Sequence, residues 1–434
     1  MRAVIDPAEQ PLRGSIRVPS DKSISHRAVL FAALAHGRSV VRDALDAADV
    51  RSSIEAVRAL GAAVDVSPGD CGLSLVIDGW GDRGPAAPPH PVDCGNSGTT
   101  ARLLLGILGG YQVSVTLVGD RSLSGRPMRR VTEPLARMGA RFDLSPQGTL
   151  PVTVHGGPLV GCNHELTVAS AQVKTALLLA GLRATGTTTV REPAPSRDHT
   201  ERMLPVFGAQ VEREDSLTVR VQGLQILRPA EVAVPADPSS AAFLAVAAAL
   251  VPGSEVVLRD VCLNPTRIAF LDVMRRMGVD LSIAPGPDAG GEPVGDVTVR
   301  GGAPLRPADV PPHEVPALID EVPVLAVLAC AAHGATRFRS VGELRVKESD
   351  RLDATVHALH AMGAQARVED DDLVVVGPAN LHGAEFSSRG DHRLAMAFAV
   401  AGLVASGPVS IDGFEAVAVS YPRFSEDLHA LVRG

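Results

Sequence analysis

Lysine is scarce in this 434-residue chain. Of its 41 basic residues only three are lysine, and these are Lys22, Lys174 and Lys347. The two basic side chains are not equivalent, because lysine carries a compact ammonium whose pKa shifts readily and arginine carries a planar fork of donors. The three lysines therefore mark candidate sites where a titratable point charge matters, although chance placement explains three residues as well.

Cysteine is also sparse, and its pattern excludes two kinds of site. The five cysteines are scattered, odd in number and free of the C-x-x-C spacing that metal sites use, so neither disulfides nor zinc ligands are predicted. We expect reduced core or surface residues at Cys71, Cys94, Cys162, Cys262 and Cys330.

Long apolar runs and basic clusters are missing too. No apolar run reaches the ~18 residues that span a bilayer, and Met1–Gln10 contains no apolar signal region. The formal net charge of −8 argues against nucleic acid as the main partner. With 45% hydrophobic residues there is ample material for large cores. Because signal and membrane-spanning segments are missing, we expect a cytoplasmic protein. Because the net charge is negative, any anion site must be local.

What the chain does contain is a repeated design. Polar openings lead into six segments that are apolar nearly all round, and each such segment predicts a buried helix. A β-branched segment and a second, amphipathic helix follow each of them. The openings lie at Ser25, Asn96, Ser170, Asp237, Asp320 and Asp391.

Glycine follows an apolar residue at the end of five amphipathic helices, which predicts helix C-caps there. These glycines are Gly61, Gly139, Gly208, Gly278 and Gly363. One buried helix, one amphipathic helix and a few short strands cannot close a core alone, whereas three such units can, with the buried helices inside. Six units in a chain of this length therefore predict two α/β domains of three repeats each.

The first opening carries the strongest local signal. Residues 19–27 place Lys22, Ser23 and Arg27 just ahead of an apolar run. A helix that begins near Ser23 would offer unpaired N–H groups and a positive dipole end to an anion. An ordinary helix cap with a solvated basic residue is the alternative. Recurrence of the design at the other openings favours the anion site.

The second repeat contributes two polar segments. Residues 94–100 form a turn rich in glycine and hydroxyls around Gly98, which suits an anion-cradling loop, although turn chemistry alone explains much of it. Residues 119–130 crowd four arginines together. The Gly-Arg-Pro sequence around Arg126 favours a clamp for carboxylate or phosphate, with a solvated charged face as the alternative.

Later openings differ in charge. Ser170-Ala171-Gln172 begins the third repeat, and Arg197 follows in a segment whose neighbours suit helix capping. Residues 237–240 and 264–267 are interpreted mainly as caps.

Lys347 and Arg351 are four apart, so we expect them to share a helix face with Glu348 next to it. A carboxylate among cations suits proton transfer to carbon, and an ordinary salt-bridged surface is the alternative.

Together these motifs resemble the 5-enolpyruvylshikimate-3-phosphate synthases, the 3-phosphoshikimate 1-carboxyvinyltransferases of aromatic amino-acid synthesis. The resemblance covers essentially the whole chain and is nearest the family's second class. The class's usual Gly-Asp-Lys is Ser20-Asp21-Lys22 here. Family members vary at Glu343 and Val419, so neither is assigned to the site. The motifs lie at residues 19–27, 95–102, 125–127, 170–174, 197–201, 264–267, 345–352 and 391–396.

The resemblance implies a two-domain inside-out α/β barrel of six repeats. It places residues 20–235 in one domain and residues 1–19 with 236–434 in the other, with the site in the cleft between them. The implied reaction moves the enolpyruvyl group of phosphoenolpyruvate to the 5-hydroxyl of shikimate 3-phosphate and releases phosphate. It implies no metal or redox cofactor, and we expect a monomer without nucleic acid or membrane partners. Glyphosate, which is more extended than phosphoenolpyruvate, occupies the phosphoenolpyruvate site of sensitive family members.

Roles for individual residues also follow from the resemblance. Asp320 would take the proton from the 5-hydroxyl, and Glu348 would move a proton at the methylene carbon, with Lys22 also catalytic. Shikimate 3-phosphate should contact Lys22, Ser23, Arg27, Ser170, Ala171, Gln172, Arg197, Asp320 and Lys347. Phosphoenolpyruvate should contact Lys22, Gly98, Arg126, Gln172, Arg351 and Arg393.

Two alternatives stay open at this point. The sister enolpyruvyl transferase that acts on UDP-N-acetylglucosamine shares the fold but usually has a cysteine before its Arg-Pro pair, and residues 120–126 contain none. A non-catalytic repeat scaffold would show the same caps and buried helices. It gives no reason for charge to concentrate at helix starts in both halves.

Overall fold

The computed structural model describes residues 1–433. The apolar segments form helices that begin at polar openings, and side-chain oxygens of Asp21, Ser97, Ser170, Asp237 and Asp391 accept N–H groups of the first turns. The apolar helices are α1 (Lys22–Leu34), α3 (Gly98–Gly109), α6 (Ala171–Gly181), α8 (Pro238–Leu250), α10 (Val322–Ala329) and α12 (His392–Gly402).

The second helix of five of the six repeats ends at a glycine, as predicted. Gly61, Gly139, Gly208, Gly278 and Gly363 have φ between +80° and +115°, a backbone conformation in which a Cβ is strained. These helices are α2 (Ala48–Ala59), α5 (Arg129–Met138), α7 (His199–Val206), α9 (Ala269–Arg276), α11 (Arg351–Ala361) and α13 (Phe424–Arg433), and a short helix α4 (Arg121–Ser124) precedes α5.

The chain divides into two compact units. The first contains Ser20–Pro235 together with Asp288–Glu292, and the second contains Met1–Pro19, Ala236–Pro287 and the residues from Pro293 onward. The sequence placed 288–292 with the C-terminal domain. These five residues belong to the first unit because Glu292 is buried there and its Oε1 lies 2.6 Å from Nδ1 of His199.

The first unit contains three four-stranded sheets within its described residues, and each has one parallel and two antiparallel pairings. In spatial order they are β14 (Glu231–Ala233), β3 (Arg38–Ala44), β5 (Leu73–Asp78), β4 (Ala63–Pro68); β6 (Val92–Asp93), β7 (Ser114–Val118), β9 (Val152–His155), β8 (Arg141–Leu144); and β10 (Asn163–Glu165), β11 (Thr187–Arg191), β13 (Thr218–Gln222), β12 (Val211–Arg213).

The second unit, as far as residue 433, has two four-stranded sheets and one three-stranded sheet. In spatial order they are β16 (Asp280–Pro285), β17 (Val294–Arg300), β15 (Glu255–Cys262), β2 (Arg13–Ile16); β18 (Asp309–Val310), β19 (Gly334–Phe338), β21 (Asp372–Gly377), β20 (Gln365–Glu369); and β1 (Arg2–Ile5), β23 (Val409–Asp412), β22 (Glu385–Ser387).

A strand exchange explains where the two units begin. Strand β2 precedes α1 in the chain, yet it pairs in parallel with β15 of the second unit. Strand β14 precedes α8, yet it pairs in parallel with β3 of the first unit. Strand β2 thus completes a sheet of the second unit, although α1, which follows it, belongs to the first. Strand β14 completes a sheet of the first unit, although α8, which follows it, belongs to the second.

The apolar helices form the centre of each unit. Helix α3 packs against α1 and α6 in the first unit, and α8, α10 and α12 pack against one another in the second. The sheets and amphipathic helices surround these cores, so the predicted inside-out α/β architecture of three repeats per unit is confirmed. None of the helices in residues 1–433 is long and apolar enough to cross a membrane.

Candidate active site

The N-terminus of α1 presents the first lysine. Asp21 is buried and caps the helix by accepting the N–H of Ile24 at 2.8 Å. Lys22, the first helical residue, is partly buried, and its Nζ lies 3.1 Å from Oδ2 of Asp49 in the first turn of α2. The capping chemistry predicted for this stretch therefore positions a lysine instead of excluding an anion site.

Arg27 lies one turn further along α1 and is only 2% exposed. Its guanidinium donates to the hydroxyls of Thr200 and Thr175, each at 2.8 Å, and to the carbonyl of Ser23 at 3.0 Å. Burial lowers the pKa of Arg27 to about 10, and the opposing effect of Glu201 is incomplete. The group stays charged at neutral pH while its three hydrogen-bond acceptors are all neutral.

The predicted anion loop lies at the start of α3. Ser97 caps the helix, and Gly98 is its first residue. A Cβ built on Gly98 would lie 3.2 Å from Nη1 of Arg102 and 3.4 Å from Nη1 of Arg126. Two guanidinium groups therefore face the backbone at Gly98. Arg126 is held there because it donates to Oδ1 of Asn96 at 2.6 Å.

Arg102 belongs to the motif at residues 95–102 but was not assigned to the site from the sequence. It is 9% exposed and donates to Oε1 of Gln172, whose Nε2 donates to the hydroxyl of Thr99 at 2.9 Å. These bonds join the first turns of α3 and α6. The available signal was its spacing, because a residue four positions after Gly98 lies on the same helix face.

The start of α6 contains the second lysine, buried beneath the site. Nζ of Lys174 lies 2.6 Å from Glu192 and 2.8 Å from Glu201. Burial alone would lower the pKa of Lys174, but the two carboxylates together raise it above its ordinary value. Glu192 also accepts the N–H of Ser170 at 3.2 Å, so this cluster holds the predicted Ser170–Gln172 segment in place.

Arg197 lies half-buried just before α7, where its charge acts to lower the pKa of Arg27. The neighbouring Asp198 makes no side-chain cap to α7, although the sequence suggested one. Its carboxylate instead binds Arg202 at 3.0 Å and also Arg213. The reason is tertiary, because strand β12 brings Arg213 to the start of the helix.

In the second unit, one buried arginine collects three carboxylates. Arg351 is 1% exposed, and its nitrogens lie 2.6 Å from Glu348, 2.7 Å from Asp391 and 3.0 Å from Asp320. Burial alone would lower the pKa of Arg351, but the three carboxylates raise it well above its ordinary value. The predicted proton-transfer residues Asp320 and Glu348 are thus held on one guanidinium.

The expectation that Lys347 and Arg351 share a helix face is wrong. Helix α11 begins at Arg351, and Lys347 has extended φ and ψ at the end of a short 3₁₀ helix, Gly342–Val346. Asp350 ends the extended segment because it caps α11. Lys347 still reaches the cluster, with Nζ 3.8 Å from Asp320 and 4.0 Å from Glu343.

Arg393 completes the charged set at the start of α12. It lies 3.7 Å from Asp320 and 3.5 Å from Glu321, which also accepts a 2.5 Å hydrogen bond from the hydroxyl of Ser239. Asp391 marks one predicted helix opening and Glu321 directly follows another, but neither was assigned to the site from the sequence.

The interpretation of residues 237–240 as a cap is confirmed at Asp237, whose side chain accepts the N–H of Ser239. The cap interpretation is wrong for Arg267, which is buried and donates to Asp237 at 2.9 Å. Helix α9 begins two residues later and has no side-chain cap.

The predicted site residues therefore fall into two clusters. The first-unit cluster is Lys22, Ser23, Arg27, Gly98, Arg126, Ser170, Ala171, Gln172 and Arg197. The second-unit cluster is Asp320, Lys347, Glu348, Arg351 and Arg393. The first offers cations, hydroxyls and helix N-termini, which suit anions, and the second combines carboxylates with cations, which suits proton transfer. In residues 1–433 no group of three or more His, Cys, Asp or Glu side chains could hold a metal ion.

The chain has the fold of the enolpyruvyl transferases. The structure of the enolpyruvyl transferase NikO from Streptomyces tendae has the same fold, with a TM-score of 0.78 at 20% identity, over 99% of this chain and 97% of that one.

The chain belongs to the EPSP synthase (3-phosphoshikimate 1-carboxyvinyltransferase) family, whose sequence profile matches residues 7–428. It is 49% identical to the 3-phosphoshikimate 1-carboxyvinyltransferase of Halorhodospira halophila, over 98% of this chain and 94% of that protein. It is 48% identical to the Geobacillus kaustophilus protein of the same name, over 97% and 98% respectively. An EPSP synthase structure from Acinetobacter baumannii matches with a TM-score of 0.89 at 40% identity, over 99% and 97%.

Proposed function

We propose that this chain catalyses the reaction that defines its family, and that the two clusters bind and convert its substrates. In that reaction the enolpyruvyl group of phosphoenolpyruvate moves to the 5-hydroxyl of shikimate 3-phosphate, and phosphate is released. The observation that carries the proposal is the arrangement at Arg351, where Asp320 and Glu348 are held on one guanidinium in a chain of this family.

Charge is the first requirement of the reaction. Each substrate carries a carboxylate and a phosphate, and moving such groups out of water costs several kcal/mol per ion unless cations and donors replace the water. Lys22, Arg27, Arg126, Lys347 and Arg393 supply that charge at or beside helix starts. This explains why a chain with a net charge of −8 concentrates cations at these positions.

Shikimate 3-phosphate is assigned to residues that the first unit presents around Arg27. Planar guanidinium groups bind phosphate and carboxylate with two parallel hydrogen bonds, and hydroxyls add orientation. The direct hydrogen-bond acceptors of Arg27 are neutral, so an anion that reaches it does not displace a carboxylate from the guanidinium. The proposed ligands are Lys22, Ser23, Arg27, Ser170, Ala171, Gln172 and Arg197 from this unit, with Asp320 and Lys347 from the other.

Phosphoenolpyruvate is assigned to the guanidiniums that face Gly98. The absence of a side chain on Gly98 leaves the space beside Arg126 and Arg102 open to a ligand atom. The proposed ligands are Lys22, Gly98, Arg126 and Gln172 from the first unit, with Arg351 and Arg393 from the second. Arg102 joins them because it holds Gln172.

Proton transfers are assigned to the two carboxylates. As the 5-hydroxyl oxygen attacks the central carbon of phosphoenolpyruvate, Asp320 takes the hydroxyl proton and Glu348 gives a proton to the methylene carbon. Glu348, now a carboxylate, then removes a proton from the resulting methyl group as phosphate leaves, and Asp320 releases the hydroxyl proton to solvent, so that both groups return to their starting states. In the structure Glu348 lies 2.6 Å from Nη2 of Arg351, so a substrate carboxylate that binds this nitrogen competes with Glu348 and frees it for the reacting carbon.

A cysteine-based mechanism has little support here. Cys94, which directly precedes the Gly98 loop, is buried, and burial raises the pKa of its thiol to about 12. A buried neutral thiol is a poor proton donor or nucleophile at neutral pH, and residues 120–126 contain no cysteine.

A phosphate-release assay tests the proposal. The protein is supplied with phosphoenolpyruvate and either shikimate 3-phosphate or UDP-N-acetylglucosamine, and released phosphate is measured. The expected result is steady release with shikimate 3-phosphate only, with formation of the enolpyruvyl ether. Phosphate release with UDP-N-acetylglucosamine would overturn the assignment. So would the absence of release with both acceptors.

We also propose that the enzyme acts in the cytoplasm. We propose that it acts as a monomer, because this one chain supplies every residue predicted to bind the substrates. Light scattering at working concentration measures the mass directly. A mass near 45.1 kDa is expected, and a stable dimer would contradict the proposal.

A further inference from the structure

A buried row of four polar side chains connects three helices of the first unit. His26 of α1, Ser53 of α2, and Thr100 and Ser97 at the start of α3 are each 0–1% exposed. Nδ1 of His26 lies 2.8 Å from the Ser53 hydroxyl, which lies 2.7 Å from the Thr100 hydroxyl, which in turn donates to Ser97 at 2.7 Å. The reaction assigned above uses none of these groups.

The direction of each hydrogen bond follows from counting protons. The Thr100 hydroxyl has one proton and donates it to Ser97, so it accepts from Ser53. Ser53 has then spent its own proton and accepts from His26. His26 must therefore carry its proton on Nδ1 and leave Nε2 bare, and within residues 1–433 that buried Nε2 has no hydrogen-bond partner. Burial lowers the pKa of His26 to about 3, so the ring is neutral near pH 7.

The row begins and ends beside proposed ligands of phosphoenolpyruvate. His26 lies one helical turn after Lys22, and Ser97 is the cap directly before Gly98. Helix α2 packs against both α1 and α3, and its Asp49 also binds Lys22 at 3.1 Å. Arg27 lies outside the row, since its side chain bonds to Thr175 and Thr200.

We propose that Ser53 is a positioning residue for phosphoenolpyruvate: its hydroxyl joins His26 to Thr100 and so fixes Lys22 relative to Gly98. A directed series of buried hydrogen bonds resists sliding of one helix along another, because any slip leaves a buried donor or acceptor unpaired. The inference rests on the proposed function, and its chemistry is confined to orientation.

Replacing Ser53 tests the inference through a split between the two Michaelis constants. Ser53→Ala should raise the constant for phosphoenolpyruvate by about fivefold to thirtyfold, as expected for a lost buried hydrogen bond. The constant for shikimate 3-phosphate should change less than about threefold, because Lys22 is only one of its proposed ligands and Arg27 keeps its own partners, Thr175 and Thr200. Equal proportional changes in both constants, or none, would overturn the proposal.

Matched variants separate positioning from general loss of stability. Thr100→Ser keeps the hydroxyl and should behave as the unmutated enzyme, whereas Thr100→Val should reproduce Ser53→Ala. Ser114→Ala removes a comparable bond at the surface, where the Ser114 hydroxyl lies 2.9 Å from Nδ1 of His155, and should leave both constants unchanged. A Thr100→Ser variant as impaired as Thr100→Val would contradict the role of the hydroxyl.

Nitrogen-15 spectra of the histidine rings give a readout independent of activity. The His26 signals, identified by their change in Ser53→Ala, should report a neutral ring protonated on Nδ1 between pH 6 and 8. A ring protonated on Nε2, or a charged ring, would refute the hydrogen-bond order. Failure of the unmutated enzyme to release phosphate would refute the proposed function, whereas normal turnover with an unaffected Ser53→Ala variant would refute this inference alone.

Discussion

Arg27 and Arg351 are both almost fully buried, but their partners differ in charge. Arg27 donates to two hydroxyls and a carbonyl, and burial lowers its pKa to about 10. Arg351 is surrounded by three carboxylates, which raise its pKa despite burial. The guanidinium of Arg27 donates only to neutral acceptors, whereas that of Arg351 is in direct contact with three carboxylates.

The difference in partners suits the two arginines to different proposed roles. A buried cation with neutral partners gains most when an anion arrives, so Arg27 is suited to substrate affinity. A buried cation with several carboxylates orders those carboxylates, so Arg351 is suited to holding Asp320 and Glu348 in position. Four substitutions test this contrast.

The largest effect is expected for stability when Arg351 is removed. Arg351→Met leaves three carboxylates without their shared cation, which should cost roughly 3–5 kcal/mol of unfolding free energy. Denaturant unfolding measures the change. Arg339→Met is the control, because Arg339 binds Asp309 at the exposed surface and its loss should cost about 1 kcal/mol or less. Equal losses for the two variants would contradict the structural role of Arg351.

Glu348→Gln keeps the size and hydrogen bonding of the side chain and removes the transferable proton. Turnover should fall by ~10²-fold or more, while the affinity for shikimate 3-phosphate stays near normal. Steady-state rates and a binding titration measure the two quantities. Glu343→Gln is the matched control, because Glu343 is exposed, 4.0 Å from Lys347 and unassigned to the site. Near-normal turnover of Glu348→Gln would assign the proton transfer to another group.

Arg27→Lys keeps the charge but loses the fork that reaches Thr175 and Thr200 together. The Michaelis constant for shikimate 3-phosphate should rise about tenfold to a hundredfold, with a smaller change in turnover. Arg38→Lys alters a surface arginine of the same unit and should have no effect. A fall in turnover alone would place Arg27 with the catalytic groups and remove the contrast.

Gly98→Ala gives the smallest expected effect. The added methyl would lie 3.2 Å from Arg102 and 3.4 Å from Arg126, both at the ends of flexible side chains. One methyl in a tight contact costs roughly 1–3 kcal/mol, and the more extended glyphosate should lose more affinity than phosphoenolpyruvate. The glyphosate inhibition constant and the phosphoenolpyruvate Michaelis constant are measured for both proteins. Equal proportional changes would show that Gly98 does not discriminate between them.

The sequence predicted the elements that depend on local patterns. Apolar periodicity located the six buried helices, and glycine after an apolar residue located the five left-handed caps. It could not predict partners that are distant in the chain. Arg267 looked like part of a cap and forms a buried ion pair with Asp237, and Glu292 reaches His199 across 93 positions.

Local spacing also misled where a cap intervenes. Lys347 and Arg351 are four residues apart, but Asp350 caps α11, which begins at Arg351, so Lys347 lies outside the helix. Arg102 was missed because its role depends on Gln172 in another repeat, 70 residues away. The motifs could be located from the sequence, whereas the division of their cations into those with neutral partners and those with carboxylate partners required the structure.

The most direct test of this account follows the proton that Glu348 is assigned to move. In deuterium oxide with both substrates, proton magnetic resonance reports deuterium entering the methylene group of the enolpyruvyl product. The unmutated enzyme should incorporate deuterium during turnover. Glu348→Gln should incorporate almost none while still binding shikimate 3-phosphate, and Arg27→Lys should incorporate it normally once substrate is saturating. Undiminished incorporation by Glu348→Gln would contradict the assignment of catalysis to the Arg351 cluster.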